Sequence, residues 1–199
     1  MYRAASLTAH GHKDRWIMNN LVIADPGKCI GCRTCEVACV LSHATGDALA
    51  GLSAAHFVPR LKVVKTSKVS TPVQCRQCDD APCAKVCPTG AISHSHNSVQ
   101  VTQRLCIGCK SCMMACLYGA MEVVPRETIV LERRPSTYYG EATGGRVQAF
   151  KCDLCLHRAE GPACIQVCPT KALSSISGKV LAERMRAKRD YAVTTLAQL

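Results

Sequence analysis

Apolar and polar positions along this chain change character every few residues, and no stretch keeps one period for long. Leu21-Val22-Ile23-Ala24 is a short apolar run closed by Asp25-Pro26-Gly27, which predicts a strand and then a turn. Residues 40–56 are rich in Ala, Leu and Gly and include His43 and His56. They read as a helix that gives way to a loop at Phe57-Val58-Pro59. Arg60 to Lys65 has strand character, with a turn at Thr66-Ser67-Lys68. Thr89-Gly90-Ala91 turns into a strand at Ile92, Ser93 to Asn97 makes a polar hairpin, and Val99-Gln100-Val101 returns. Between 121 and 150, apolar alternation at Met121 and Val123 and again at Ile129 and Leu131 predicts strands, joined by a Gly-rich turn at 140–145. A helix from about Lys179 to Leu196 closes the chain.

These are short elements with little to pack. Only 4% of the 199 residues are aromatic and two are Phe, so a conventional core would be thin. The chain is rich in cysteine instead. All 16 cysteines fall in four quartets. Cys29, Cys32, Cys35 and Cys39 read C-x2-C-x2-C-x3-C. Cys106, Cys109, Cys112 and Cys116 repeat that run without alteration. Cys75, Cys78, Cys83, Cys87 and Cys152, Cys155, Cys164, Cys168 carry widened versions. Thiols at steps of three wrap a compact inorganic core, and this is the ligand run of a ferredoxin-type [4Fe-4S] centre. Gly31 and Gly108 hold equivalent places in C-I-G-C. Without a Cβ they let the backbone approach a sulfide or take φ > 0, and their N–H groups are candidate donors to cluster sulfur.

Two other uses of cysteine fit less well. A disulfide framework goes with a secretory context, yet the N-terminal residues contain no apolar signal core, and a framework has no need of repeated C-x2-C with a third cysteine close behind. A structural zinc scaffold takes four ligands in all, so a tight quartet would fill one tetrahedral site in strained geometry. Zinc would not call for the prolines of Cys87-Pro88 and Cys168-Pro169, which belong to the bacterial ferredoxin signature. Val40 and Leu117 replace that proline after the other two quartets.

The formal charge of +11 ordinarily directs attention to nucleic acid or an anionic surface. Sixteen thiolates around four oxidised cores of about +2 each contribute roughly −8, leaving the loaded chain near about +3. The basic excess offsets the clusters, and a nucleic-acid partner has no positive support. No run of about 18 apolar residues predicts a membrane span, and the expected compartment is the reducing cytoplasm.

Spacing constrains how the quartets combine. In two-cluster ferredoxins the fourth cysteine of each run ligates the cluster held by the other run, so quartets work in pairs. Here 35 residues separate Cys39 from Cys75, 18 separate Cys87 from Cys106, and 35 separate Cys116 from Cys152. That symmetry suits a compact pair of quartets two and three closed by one and four. It also permits one with two and three with four.

The segments 28–39, 75–92, 106–116, 151–155 and 161–173 resemble the four-cluster ferredoxin subunits of molybdenum or tungsten oxidoreductases, most closely those of the formate-hydrogenlyase type, over about residues 18–175. The resemblance implies nested pairing. One cluster would take Cys29, Cys32, Cys35 and Cys168, and its partner Cys152, Cys155, Cys164 and Cys39. The inner lobe would use Cys75, Cys78, Cys83 and Cys116 for one cluster, and Cys106, Cys109, Cys112 and Cys87 for the other. Some members of the family alter a cysteine of the third quartet, whereas this chain keeps Cys109, so four [4Fe-4S] clusters are expected.

The implied fold is α+β, two ferredoxin-like lobes with the outer one discontinuous. Residues 18–59 and 146–176 would form that outer lobe and 60–145 the inner lobe with its connectors, between a 1–17 extension and a basic tail at 177–199. The implied function is single-electron relay without a substrate site. The implied partners are a molybdopterin (Mo/W) catalytic subunit such as formate dehydrogenase and a hydrogenase or other acceptor. An accessory role in dehydrogenase maturation is the alternative. Lys85, Lys110 and Lys171, in or beside quartets, are candidates to modulate potentials or plain surface lysines. His43 is expected to hydrogen bond or face solvent, since every quartet already supplies four thiolates.

Overall fold

The computed structural model describes residues 19–44, 53–54, 57–125 and 147–196. The 1–17 extension, His56, the pattern at Ile129 and Leu131 and the 140–145 turn lie outside the described residues, as does most of the helix expected at 40–56.

Four two-stranded antiparallel sheets and four short helices make the two lobes. In the first lobe the apolar run β1 (Leu21–Ala24) pairs with β8 (Leu173–Ile176), bringing together segments from opposite ends of the sequence. α1 (Thr34–His43) packs against α4 (Ala163–Gln166). In the second lobe β4 (Ile92–Ser95) and β5 (Ser98–Val101) form a hairpin whose turn residues His96 and Asn97 have φ of 52° and 53°. There α2 (Pro82–Lys85) packs against α3 (Ser111–Ala115). β6 (Glu122–Pro125) pairs with β7 (Val147–Phe150). The fold is thus α+β with a discontinuous outer lobe.

Residues just inside the expected boundaries at 60 and 146 pack across them. β2 (Leu61–Lys65) and β3 (Ser70–Gln74) form a hairpin, and Leu61 and Val63 enter the outer core beside Val22, Cys35 and Cys39. The alternation of β2 dictates this: Leu61 and Val63 share one face, and the Val63 N–H donates to the buried Glu36 carboxylate on α1 at 2.5 Å. Conversely Ala149 of β7 joins Ala81, Ile92, Val99, Cys112 and Met121 in the inner core.

Both cores are small, and cysteines supply much of each. A seam of buried amides joins them. Gln74, 1% exposed, donates to the Val22 carbonyl at 2.9 Å. Gln77, 2% exposed, donates to the Cys152 carbonyl and accepts from the Val99 N–H, both at 2.8 Å. Asn19 donates to the Gln77 carbonyl at 2.8 Å. Gln74 Oε1 meets no partner among the described residues, so Gln77, with both amide atoms bonded, is what fixes one relative placement of the two cores.

α5 (Gly178–Leu196) follows β8, its residues exposed apart from the first few. No helix among the described residues is long and apolar enough to cross a membrane.

Candidate metal centres

Each C-x-x-C begins in a loop and hands its third cysteine to a short helix. The residue before the second cysteine is always in the left-handed region: Gly31 (φ 66°), Gln77 (51°), Gly108 (71°) and Leu154 (62°). Positive φ curls the loop so that successive thiols face inward. Gly31 and Gly108 have a second reason to lack a side chain, because a Cβ would run into Lys65 and Ser70 at one and into Val147 at the other. At Gln77 and Leu154 the strain is held by the rest of the fold, through the amide seam at Gln77 and burial of Leu154 in the outer core.

Helical spacing then divides each quartet. Cys35 and Cys39 stand one turn apart on α1, and Cys112 and Cys116 do so at α3. Each helix therefore offers thiols to two different places. Cys29, Cys32, Cys35 and Cys168 line one concavity, together with Pro169. Cys39 lies within electrostatic reach of Cys152 and Cys155, and Cys164 of all three. Cys78 and Cys83 face Cys75 and Cys116. Cys87, Cys106, Cys109 and Cys112 line a second concavity. These are four convergent sets, each with three thiols from one quartet and one from another.

The sets lie in a row. Cys35 of the first is felt by Cys164 of the second, and Cys75 of the third by Cys152 of the second. The α2–α3 packing joins third to fourth. Exposure differs among them: Cys32 and Cys109 of the end sets are exposed, Cys39, Cys152, Cys155 and Cys164 of the second set are all buried, and Cys75, Cys78, Cys83 and Cys116 of the third are half-buried.

Burial sets the chemistry of the thiols. Desolvation pushes Cys39 and Cys152 up to about 12, Cys35 and Cys83 to about 11, and Cys164 higher still. At the ends, the Thr34 hydroxyl on Cys32 (3.3 Å) and the Ser111 hydroxyl on Cys109 hold those thiols below the ordinary value. At Cys168 and Cys87 burial acts upward, but hydrogen bonds from Thr170, Ala172 and Thr89 outweigh it. Backbone N–H groups of Arg60, Gln77, Ala120 and Ala172 donate to Cys39, Cys75, Cys116 and Cys168 at 3.3 to 3.4 Å. Burial alone favours the neutral thiol, whereas these N–H donors and the convergence of four sulfurs favour a metal-bound thiolate, so the donor sets fit iron–sulfur clusters.

His43, Asp153 and His157 also bring possible ligand atoms within 4.8 Å of one another. The Arg60 guanidinium already sits on the Asp153 carboxylate at 2.6 Å, His43 Nε2 lies 3.1 Å from it, and His43 Nδ1 meets the Cys39 carbonyl at 2.7 Å. Burial opposes ionisation of Asp153, but the His43 hydrogen bond and the Arg60 charge prevail and hold it well below the usual carboxylate range. The cluster is an ion-pair network bracing α1 against the fourth quartet, and it gives His43 its hydrogen-bonding role.

Folds and thiols of this kind define an iron–sulfur protein of ferredoxin type, and the 4Fe-4S dicluster domain family matches residues 105–172. That match spans quartets three and four, which the structure places in different lobes. The chain is 51% identical over 172 residues to the Electron transport protein HydN of Escherichia coli K12, covering 86% of this chain and 96% of that protein. It is 49% identical over 170 residues to the Putative electron transport protein YsaA of Escherichia coli K12, with 85% and 98% covered. It is 39% identical over 193 residues to Formate hydrogenlyase subunit 2 of Escherichia coli K12, with 89% and 92% covered. The chain belongs to the HydN-like family of electron-transport iron–sulfur proteins, and it is an electron-transfer protein carrying [4Fe-4S] clusters.

Proposed function

We propose that the chain relays single electrons through four [4Fe-4S] clusters set in a row, one in each convergent set of thiols. The first would be held by Cys29, Cys32, Cys35 and Cys168, the second by Cys39, Cys152, Cys155 and Cys164. The third would be held by Cys75, Cys78, Cys83 and Cys116, the fourth by Cys87, Cys106, Cys109 and Cys112. Each cluster accepts and releases one electron; the protein fixes their order, shields the middle and exposes the ends. The observation that carries this reading is the order of the sets, with exposed Cys32 and Cys109 in the first and last, four buried thiols in the second and four half-buried thiols in the third. A relay of this form needs no substrate site of its own.

The partners on this reading are a molybdopterin (Mo/W) catalytic subunit such as formate dehydrogenase and a hydrogenase or other redox acceptor, in the cytoplasm. What supports them is the relationship to a protein named Formate hydrogenlyase subunit 2 and to a probable iron–sulfur subunit of the Frd operon of Proteus vulgaris. The test is anaerobic pull-down from the native host with mass spectrometry, followed by mixing the reduced protein with the captured enzyme. Stable capture of a molybdopterin enzyme and rapid reoxidation by its acceptor is the expected result. A captured dehydrogenase that is fully competent without the chain would favour a maturation role instead.

A further inference from the structure

Lys151 opens the fourth quartet, and its side chain runs inward until only 3% of the residue is exposed. Its Nζ donates to the Cys152 carbonyl at 2.9 Å and to Gln77 Oε1 at 3.4 Å. Gln77 cannot drift, because the same oxygen accepts from the Val99 N–H and the amide nitrogen donates to the Cys152 carbonyl. No carboxylate pairs with Lys151 among the described residues. An ammonium taken out of water without a counter-ion is costly, so something else nearby must favour it.

The thiols on either side supply that. Cys152 of the second set and Cys83 of the third both feel the Lys151 charge. Lys28 makes the contrast plain. It stands at the matching place before Cys29, yet its side chain is 63% exposed and pairs with Asp25 at 3.4 Å. Identical Lys-Cys dipeptides thus have opposite environments, and the buried one lies where the two lobes meet.

We propose that Lys151 is a fixed positive charge shared by the two middle clusters, and that it makes them easier to reduce than they would otherwise be. This rests on the four-cluster reading above. Reduction adds one electron to a cluster and makes its charge one unit more negative; no bond forms or breaks. A buried cation beside it attracts that electron, and low local polarity strengthens the effect. Gln77 is the positioning residue that holds the ammonium between the two sets.

The test is an EPR-monitored redox titration of the anaerobically purified full chain with its clusters, comparing wild type, Lys151→Gln and Lys151→Arg at equal iron content. Gln keeps a donor for the Cys152 carbonyl and removes the charge. Two of the four clusters should become at least tenfold harder to reduce, a fall of about 59 mV for a one-electron couple, while the other two stay in place and the Arg variant matches wild type. Four unmoved potentials in a fully loaded Gln variant would overturn the proposal, as would an equal fall in all four. Should the Gln variant fail to load, Lys151→Arg decides: full iron with wild-type potentials supports a charge role, and lost iron or displaced potentials overturns it. Failure of the four-cluster reading shows separately, as a wild-type chain with only about eight irons.

Discussion

At the two ends of the row the C-x-x-C loop turns on glycine, and in the middle it turns on Gln77 and Leu154. The residue before the second cysteine has a positive φ at all four places, so the choice of glycine or a side chain there reflects what that side chain must do. Gly31 and Gly108 stand beside Cys32 and Cys109, the exposed thiols, where a Cβ would strike Lys65, Ser70 or Val147. Gln77 and Leu154 carry side chains that seal the interior, one stitching the lobes together and the other filling the outer core. The strain of positive φ, about 1–3 kcal/mol for a non-glycine residue, is accepted only where burial and hydrogen bonds over-determine the loop. One motif thereby serves two purposes, presenting sulfur at the ends and tying the interior together in the middle.

Cys35 and Cys39 give the strongest way to break that comparison, since they lie one turn apart on α1 but face an end set and a middle set. Cys35→Ser and Cys39→Ser should perturb different clusters, read as different EPR signals lost. Identical spectral losses in the two would contradict the division of the quartets. Next in size is the pair Leu154→Ala and Gly108→Ala, measured by chemical denaturation. Leu154→Ala empties a core position and should cost about 2–5 kcal/mol. Gly108→Ala imposes strain and meets Val147, with an expected cost of about 1–3 kcal/mol. A harmless Leu154→Ala would remove the structural reading of the middle loops.

A smaller effect sharpens the role of the Asp153 network. Asp153→Asn should lower stability by about 1–2 kcal/mol at neutral pH, because the pair is only partly withdrawn from water. Because the folded carboxyl is held below its ordinary value of 3.8, its contribution is complete above that value. The contribution is lost as pH falls further, through the folded value. The Tm difference between wild type and Asp153→Asn should therefore stay constant near neutrality and shrink below about pH 4. A difference that grew on acidification would contradict the assignment.

Much of this architecture was legible in the residues. The quartets announce their thiols, and Leu21-Val22-Ile23-Ala24 announces β1. Its partner β8 is Leu-Ser-Ser-Ile, with only its two ends buried, so neither composition nor period marks it as a strand. β3 contains Pro72, which counts against a strand until the edge position of the hairpin is known. Gln74 and Gln77 are polar and would ordinarily face water; Gln74 is drawn in by the Val22 carbonyl of the outer lobe, and Gln77 by partners in both lobes. Attention to lysines in or beside the quartets picks out Lys85, Lys110 and Lys171, of which Lys85 has a side chain 64% exposed and paired with Asp80. Lys151, directly before a cysteine, carries no local sign that it is buried.

The count of iron and of electrons in the anaerobically purified chain tests the central claim most directly. Four convergent sets predict about sixteen irons and four reducing electrons per chain. A dicluster confined to the matched region of 105–172 would give about eight irons and two electrons, and that result would contradict the row of four.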